Sequence, residues 1–425
     1  MFGLRYLILW FLMLTPLFMS GQGVVKLSGK VTDSSTGNPL PFAQLSVQHK
    51  TFGTVTNEDG RFELKIPADC TGDTLLVAYM GYDVLKQPIS AATGDTVTLR
   101  LIPRPLQLAE VEIVALTPEE VIRQVVAHIP SNYGEDSLIL TAFIRSQKFV
   151  GGRLAEYAEA IIMDLKTGYR LYTEKELKHR QQESNVPQLQ KGRVISDTIM
   201  LNAIGDLGRA AGCLGCNFIH DFVEFYHQTV LDEKLFRHYN FKLEELTSPD
   251  AGKIYHIWFD QKKGVKETLW RGEIFVNAAD FALLKITQKP SFEAFGPYEK
   301  QKFRRSFTIR NTSGWIEEMP LMEWTTTYIS KNGKYSLETI RIANWMTFTH
   351  SSTGQKMRFS YKNEVVVTDV TRDPLLIRNF KGDKSIGVNQ RWDQVVGTSD
   401  ASFWAEFNYL PIEEKLKKEI DQIAK

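Results

Sequence analysis

The sequence predicts a mainly β protein, with a small N-terminal β-sandwich followed by a larger antiparallel sheet that carries helical additions. Three observations predict it. Short runs alternate apolar and polar side chains, as where Phe62, Leu64 and Ile66 interleave with Arg61, Glu63 and Lys65. Turn-forming clusters, "SSTGNPLP" at 34–41 and "TNEDG" at 56–60 among them, separate such runs about every ten residues. Farther on, "TAFIRSQKFVGGRLAEYAEAIIMDL" and "LWRGEIFVNAADFALLKITQ" read as long hairpins turning at Gly151-Gly152 and at 277–280.

The chain opens on Arg5 and an apolar stretch from Tyr6 to Phe18, ending in the small residues Ser20, Gly21 and Gly23. That pattern is expected to be a signal peptide over residues 1–22. Pro16 and the short apolar length argue against a membrane anchor, and the cysteine of a lipoprotein is missing. The mature protein is therefore expected in the periplasm, at the outer membrane or on the cell surface. Roughly 400 residues remain, enough for two or three domains. The 51 Lys and Arg residues nearly balance the 50 Asp and Glu, so no global field draws in nucleic acid. Three cysteines are too few for a disulfide framework.

Residues 23–104 supply the strands of the sandwich. Within them "GKVTDSSTGNPLPFAQLSV", "GTVTNEDGRFELKIP" and "LLVAYMGY" place Gly29, Asp33, Gly37, Pro39, Gly53, Thr56, Asp59, Gly60, Phe62 and Gly81-Tyr82 in one order. This order resembles the carboxypeptidase-regulatory-like domain, a prealbumin-like β-sandwich found at the N-terminus of exported proteins of Bacteroidetes type. The resemblance implies a non-catalytic accessory module. It also raises the question of whether Asn57-Glu58-Asp59-Gly60 binds calcium. The spacing lacks the distal bidentate carboxylate of a calcium loop, so Asp59 and Gly60 are expected to form a structural turn, with glycine supplying positive φ.

Residues 105–133 are expected to be linker and helix. Thr117 with Glu120 forms a capping box, Pro118 suits the first turn, and Val121, Ile122, Val125, Val126 and Ile129 share a face. Residues 134–425 form the β-rich domain. Strict alternation at Met357, Phe359 and Tyr361 marks a strand, and 174–239 is expected as a helical insert that covers the sheet. Ile412, Leu416, Ile420 and Ile423 after Pro411 predict a C-terminal amphipathic helix. The hairpin "RGEIFVNAADFALLKI" and the terminal "FWAEFNYLPIEEKLKKEI" resemble the C-terminal part of Bacteroidetes proteins with the same module. The long hairpins are similar in style to the half-barrels of lipoprotein-carrier and lipid-binding periplasmic proteins.

Candidate chemistry is sparse. His179 with Glu183, and His220 with Glu224, lack the spacing of a zinc peptidase, and neither a nucleophile elbow nor a P-loop occurs. No catalytic, cofactor-binding or metal-ligating residue is therefore assigned. Cys213 and Cys216, followed by His220, Asp221, Glu224 and His227, admit three readings: a small disulfide or buried thiols, a redox dithiol, or a metal site. The disulfide is the plainest in an oxidising compartment. Cys70 lies in a loop as a lone thiol. Glu156 and Glu159 are expected on the solvated face of a strand. Together these readings predict a non-enzymatic binding or scaffolding protein of the cell envelope. The alternatives are a periplasmic carrier of lipid or another apolar ligand, and a thiol-redox or metal-dependent protein built on Cys213, Cys216 and His220.

Overall fold

In a computed structural model, the described residues are 23–89, 96–104, 107–108, 116–173, 176, 185–202, 214, 221–248, 252–265, 269–291, 315–317, 321–381, 386, 390–396, 404 and 407–424. Residues 1–22, read above as a signal peptide, lie outside them. No helix among the described residues is long and apolar enough to cross a membrane.

The N-terminal module comprises β1 (Val24–Asp33), β2 (Gln44–Val47), β3 (Gly53–Val55), β4 (Arg61–Pro67), β5 (Thr74–Ala78), β6 (Leu85–Pro88) and β7 (Val97–Leu101). One sheet runs β4-β1-β7 and the other β3-β2-β5-β6; β7 joins β1 in parallel while β4 joins it antiparallel. The alternation read from β4 places Phe62, Leu64 and Ile66 inward with Val31, Leu45, Val77 and Leu99. Asp33 ties the module's ends together. Its Oδ1 accepts from the backbone N–H groups of Ser35 and Thr36, and its Oδ2 accepts from the Tyr82 hydroxyl at 2.8 Å.

A two-residue strand, β8 (Gln107–Leu108), leads to α1 (Pro118–Ala127) and α2 (Ile129–Tyr133). The Thr117/Glu120 capping box closes the start of α1, and Val121, Ile122 and Val125 are buried. Beyond α2 come β9 (Leu138–Val150), β10 (Arg153–Lys166), β11 (Asn185–Ser196), α3 (Thr198–Asn202), β12 (Tyr239–Ser248), β13 (Gly252–Gln261), β14 (Trp270–Asn277), β15 (Leu283–Pro290), β16 (Trp315–Glu317), β17 (Leu321–Lys331), β18 (Lys334–His350) and β19 (Lys356–Thr371). The chain ends in α4 (Pro374–Asn379), α5 (Trp392–Val395) and α6 (Glu414–Ile423).

These strands form one antiparallel sheet in the order β11-β10-β9-β19-β18-β17-β15-β14-β13-β12-β8, with β16 alongside β18. Among the described residues it has twelve strands, ten of them long, and it does not close. One difference from the sequence reading concerns 174–239. Within the expected helical insert, residues 185–196 form β11 as a strand paired along β10, and residues 226–228 and 233–238 form 3₁₀ turns. The run "NVPQLQKGRVIS" tolerates a strand because it lies at the edge, where Pro187 leaves no ladder hydrogen bond unmade.

The two faces of this sheet are covered differently. The inner face packs Ala142, Ile144, Ala160, Ile162, Ile274, Ile286, Ile340 and Val365 beneath α1, α2, the 221–238 turns and Trp392. On the outer face, Leu416 and Ile420 of α6 rest on Leu154 and Tyr157 of β10. Beside them, Trp404 and a strap at 407–413, with Phe407, Tyr409 and Leu410, pack against Phe143, Ile161 and Val366 of the sheet and Phe42 and Val55 of the sandwich. Leu410 is fully buried between the two modules. Replacing it with alanine should lower the unfolding free energy by about 2–5 kcal/mol in urea titration. An unchanged midpoint would show that the strap does not belong to the core.

Candidate functional site

Strand register sets a row of alternating charges across the outer face. Arg341 of β18 stands opposite Glu364 of β19, Glu364 opposite Arg145 of β9, Arg145 opposite Glu159 of β10, and Glu159 opposite Arg193 of β11. Directly paired residues bring their side chains together, so each charge has an opposite neighbour. Arg145 and Glu159 are 0 % and 1 % exposed. Arg145 donates from Nη2 to Glu159 Oε1 at 2.9 Å and to the Leu410 carbonyl at 2.5 Å, and from Nη1 to Glu413 Oε1 at 3.2 Å. Arg193 pairs with Glu159 Oε2 at 2.6 Å, and the Tyr157 hydroxyl donates to Glu159 Oε1. Burial works against the Arg145 charge, but Tyr157, Glu159, Glu413 and Glu364 hold its pKa above the ordinary arginine value. The solvated face expected for Glu156 and Glu159 is thus corrected. Glu156, 4 % exposed, pairs with Lys148 Nζ at 2.8 Å, and Glu159 lies under the strap.

The sandwich docks on this same face. Gln44 Nε2 donates to Glu338 Oε2 at 2.6 Å, Lys331 Nζ donates to the Thr51 carbonyl at 2.7 Å, and Lys362 Nζ pairs with Glu58 Oε1 at 2.9 Å. The Arg341 guanidinium lies 4.1 Å from the Phe42 ring centre. Phe42 itself holds a left-handed φ of 60°, uncommon for a bulky residue, at this contact. The 57–60 turn is part of the joint. Asn57 Oδ1 accepts from the N–H groups of Asp59 and Arg61, its Nδ2 donates to the Pro411 carbonyl at 3.0 Å, and Asp59 Oδ2 accepts from the Glu414 N–H at 3.1 Å. Gly60 has φ +73°, and a Cβ there would stand 2.7 Å from the Val31 carbonyl oxygen. Glycine is required for both reasons. The oxygens of this loop are thereby turned to backbone and to a lysine.

A second cluster is buried at one end of the inner face. Lys166 Nζ, at the end of β10, donates to Asp221 Oδ2 at 2.5 Å and Glu224 Oε2 at 2.6 Å. The Tyr169 and Tyr328 hydroxyls donate to the two Asp221 oxygens, each at 2.8 Å. Burial alone would lower the Lys166 pKa, but Asp221 and Glu224 hold it well above the ordinary lysine value. Asp164, two residues back on the same strand face, is fully buried, and neither carboxyl oxygen has a hydrogen-bond partner among the described residues. Burial pushes its pKa up to about 7, with Lys166 opposing and Glu224 and Asp221 adding to the shift.

Cys213, Cys216 and His220 lie outside the described residues. Asp221 and Glu224, named in the sequence beside them, are the buried partners of Lys166. Cys70 is a buried free thiol, and burial raises its pKa to about 11, far from a reactive thiolate. Among the described residues no three His, Cys, Asp or Glu side chains are grouped to hold a metal ion. Sequence reasoning missed Arg145, Lys166, Arg341 and Glu364, because a charge on alternate positions of a strand gives the same signal whether water or another module covers it.

The family model of the CarboxypepD_reg-like domain matches residues 27–113, so the N-terminal module of this chain is such a domain. No curated protein matches the chain. Among solved structures, a DUF1329 family protein from Desulfovibrio piger is similar at 9% identity over 60% of this chain and 92% of its own, with a TM-score of 0.26. A protein of unknown function from Bacteroides fragilis, described as membrane-associated, is similar at 11% identity over 81% and 97%, with a TM-score of 0.15. MucB in complex with MucA(peri) is similar at 8% identity over 60% and 98%, with a TM-score of 0.18.

Two outcomes follow from the buried charges. Arg145→Met removes the buried cation shared by Glu159, Glu413 and Glu364, leaving Glu159 with Arg193 alone, and should cost about 3–5 kcal/mol by chemical denaturation; a loss below 1 kcal/mol would mean that these carboxylates find water or other partners. Asp164 binds its proton more tightly folded than unfolded, so its contribution to stability falls as pH rises from about 4 to 7 and is flat above. Asp164→Asn should therefore be on the order of a few kcal/mol more stable than wild type at pH 8 and near it at pH 4. Parallel stability curves across that range would refute the assignment.

Proposed function

We propose that this chain is a non-enzymatic binding or scaffolding protein of the cell envelope, exported by its first 22 residues. One observation carries the reading. The charged groups with the greatest chemical capacity, Arg145, Glu159, Lys166, Asp221 and Glu224, are buried and engaged with one another, and they tie separate parts of the chain together. Catalytic groups face a substrate; these face each other. The accessory module at residues 27–113 is fastened to the large sheet by side chains from both, which suits a protein that presents surfaces to an envelope partner. The inner face supports this reading over a carrier of apolar ligands. Side chains from α1, α2, the 221–238 turns and Trp392 pack directly onto it.

Native mass spectrometry of protein purified from its exported location tests the proposal. The expected result is a polypeptide shorter by about the predicted signal segment, bare or bound to another protein. A co-purified lipid would overturn the scaffold reading in favour of the carrier, and an uncleaved chain retained in the cytoplasm would overturn the envelope assignment.

A further inference from the structure

We propose that the strap at 407–413 is a pH-responsive latch, in which Glu364 and Glu413 compete for Arg145 Nη1 and the outcome decides how firmly the sandwich is docked. This inference concerns the joint between the modules and does not depend on the envelope role. Nη1 now serves the strap, reaching Glu413 Oε1 and Oε2 at 3.2 and 3.3 Å and the Pro411 carbonyl at 3.4 Å. Glu364 Oε2 lies 3.9 Å from the same nitrogen, is buried, and has no hydrogen-bond partner among the described residues. The other nitrogens of Arg145 are held by Glu159 and the Leu410 carbonyl. Only Nη1 is exchangeable.

Glu364 is flanked by Arg145 and Arg341, and the elements packed here surround these three groups with further charged and titratable side chains. Arg341 and Glu338 come from β18, Lys362 from β19 itself, Arg145 from β9, Glu159 and Tyr157 from β10, and Arg193 from β11. The sandwich adds Glu58 and Tyr79, and the strap adds Glu413. Lys362 is already paired with Glu58. An ionised Glu364 therefore draws on Arg145, at the expense of Glu413, or on Arg341, at the expense of the Phe42 ring. Either loosens the joint. The negative charges of Glu413 and Glu58 push the same way.

Burial raises the Glu364 pKa to about 7, with Glu413 and Glu58 adding and Arg145 and Lys362 opposing. Opening the latch returns the carboxyl to water, where its ordinary value is 4.5. The closed form thus holds the proton more tightly, and closure weakens as pH rises from about 4.5 to 7 and levels off above. Release propagates to the sandwich through Asn57 on the Pro411 carbonyl and Arg61 on Glu414 at 2.7 Å.

Hydrogen exchange of the full chain, read by mass spectrometry on peptides covering 404–414 and corrected for the intrinsic rate, tests the latch between pH 5 and 8. Wild type is expected to lose about tenfold or more of its protection there between pH 5.5 and 7.5, whereas Glu364→Gln, which stays neutral, holds its protection across the range. Identical pH profiles for the two proteins, or a flat wild-type profile, would overturn the proposal. Should Glu364→Gln fail to fold, Glu413→Gln decides. It is expected to show lowered protection of the strap already at pH 5.5, and wild-type protection there would overturn the latch.

Discussion

A guanidinium group without access to water holds the two halves of this protein in register. Taking Arg145 out of solvent costs several kcal/mol, and a single carboxylate would not offset it. The structure supplies Glu159 from the neighbouring strand, Glu413 and two carbonyls from the strap, and Glu364 from the other side. Glu159 and the Leu410 carbonyl hold two of the Arg145 nitrogens in place, while Nη1 lies between Glu413 and Glu364. The position of the strap on the sheet follows from these contacts, and the sandwich is held both by the strap and by its own contacts with the sheet. Apolar contact among Phe143, Ile161, Val366, Leu410 and Val55 adds area to the joint, but apolar area alone is indifferent to sliding. The charges supply direction.

The inner face solves a different problem. A wide sheet has one apolar surface to cover, and here α1 and α2, the turns after residue 221 and Trp392 cover it. The ionic group formed by Lys166, Asp221 and Glu224 sits where the covering turns meet the end of β10. Its three hydroxyl and ammonium donors, Tyr169, Tyr328 and Lys166, converge on Asp221, so the turn beginning there has one seat on the sheet. In both clusters a strand-borne cation pins a segment that lacks regular structure of its own. Irregular segments need such specific anchors because no ladder of backbone bonds sets their register.

Much of the fold was legible because the signals are local. The period-two alternation of "RFELKI", the Gly151-Gly152 turn between β9 and β10, the Thr117/Glu120 box and the apolar stripe on α6 each lie within a few consecutive residues. The candidate site was mostly illegible, because its members meet through pairings that the sequence does not display. Arg145 and Glu364 become neighbours only when β9 joins β19, and Lys166 meets Asp221 only after an intervening edge strand and helix. The strand at 185–196 was missed because it is an edge strand with few apolar residues, which weakens the alternation on which the reading depends. Glu159 was misplaced for a related reason. A carboxylate within β10 reads as part of a wet surface, and only the strap, far along the chain, makes Glu159 dry.

The strap follows every strand of the sheet in chain order, and that order bears on how the molecule is assembled. As the chain emerges, the sandwich has all its strands early, and β9 and β10 can pair as a hairpin long before β19 is available. Arg145 and Glu159 lie on the outer face of that hairpin, and the segment that buries them in the folded chain, 407–413, comes last. The contacts that the sandwich makes through the strap are thus the last of its contacts to become available in chain order.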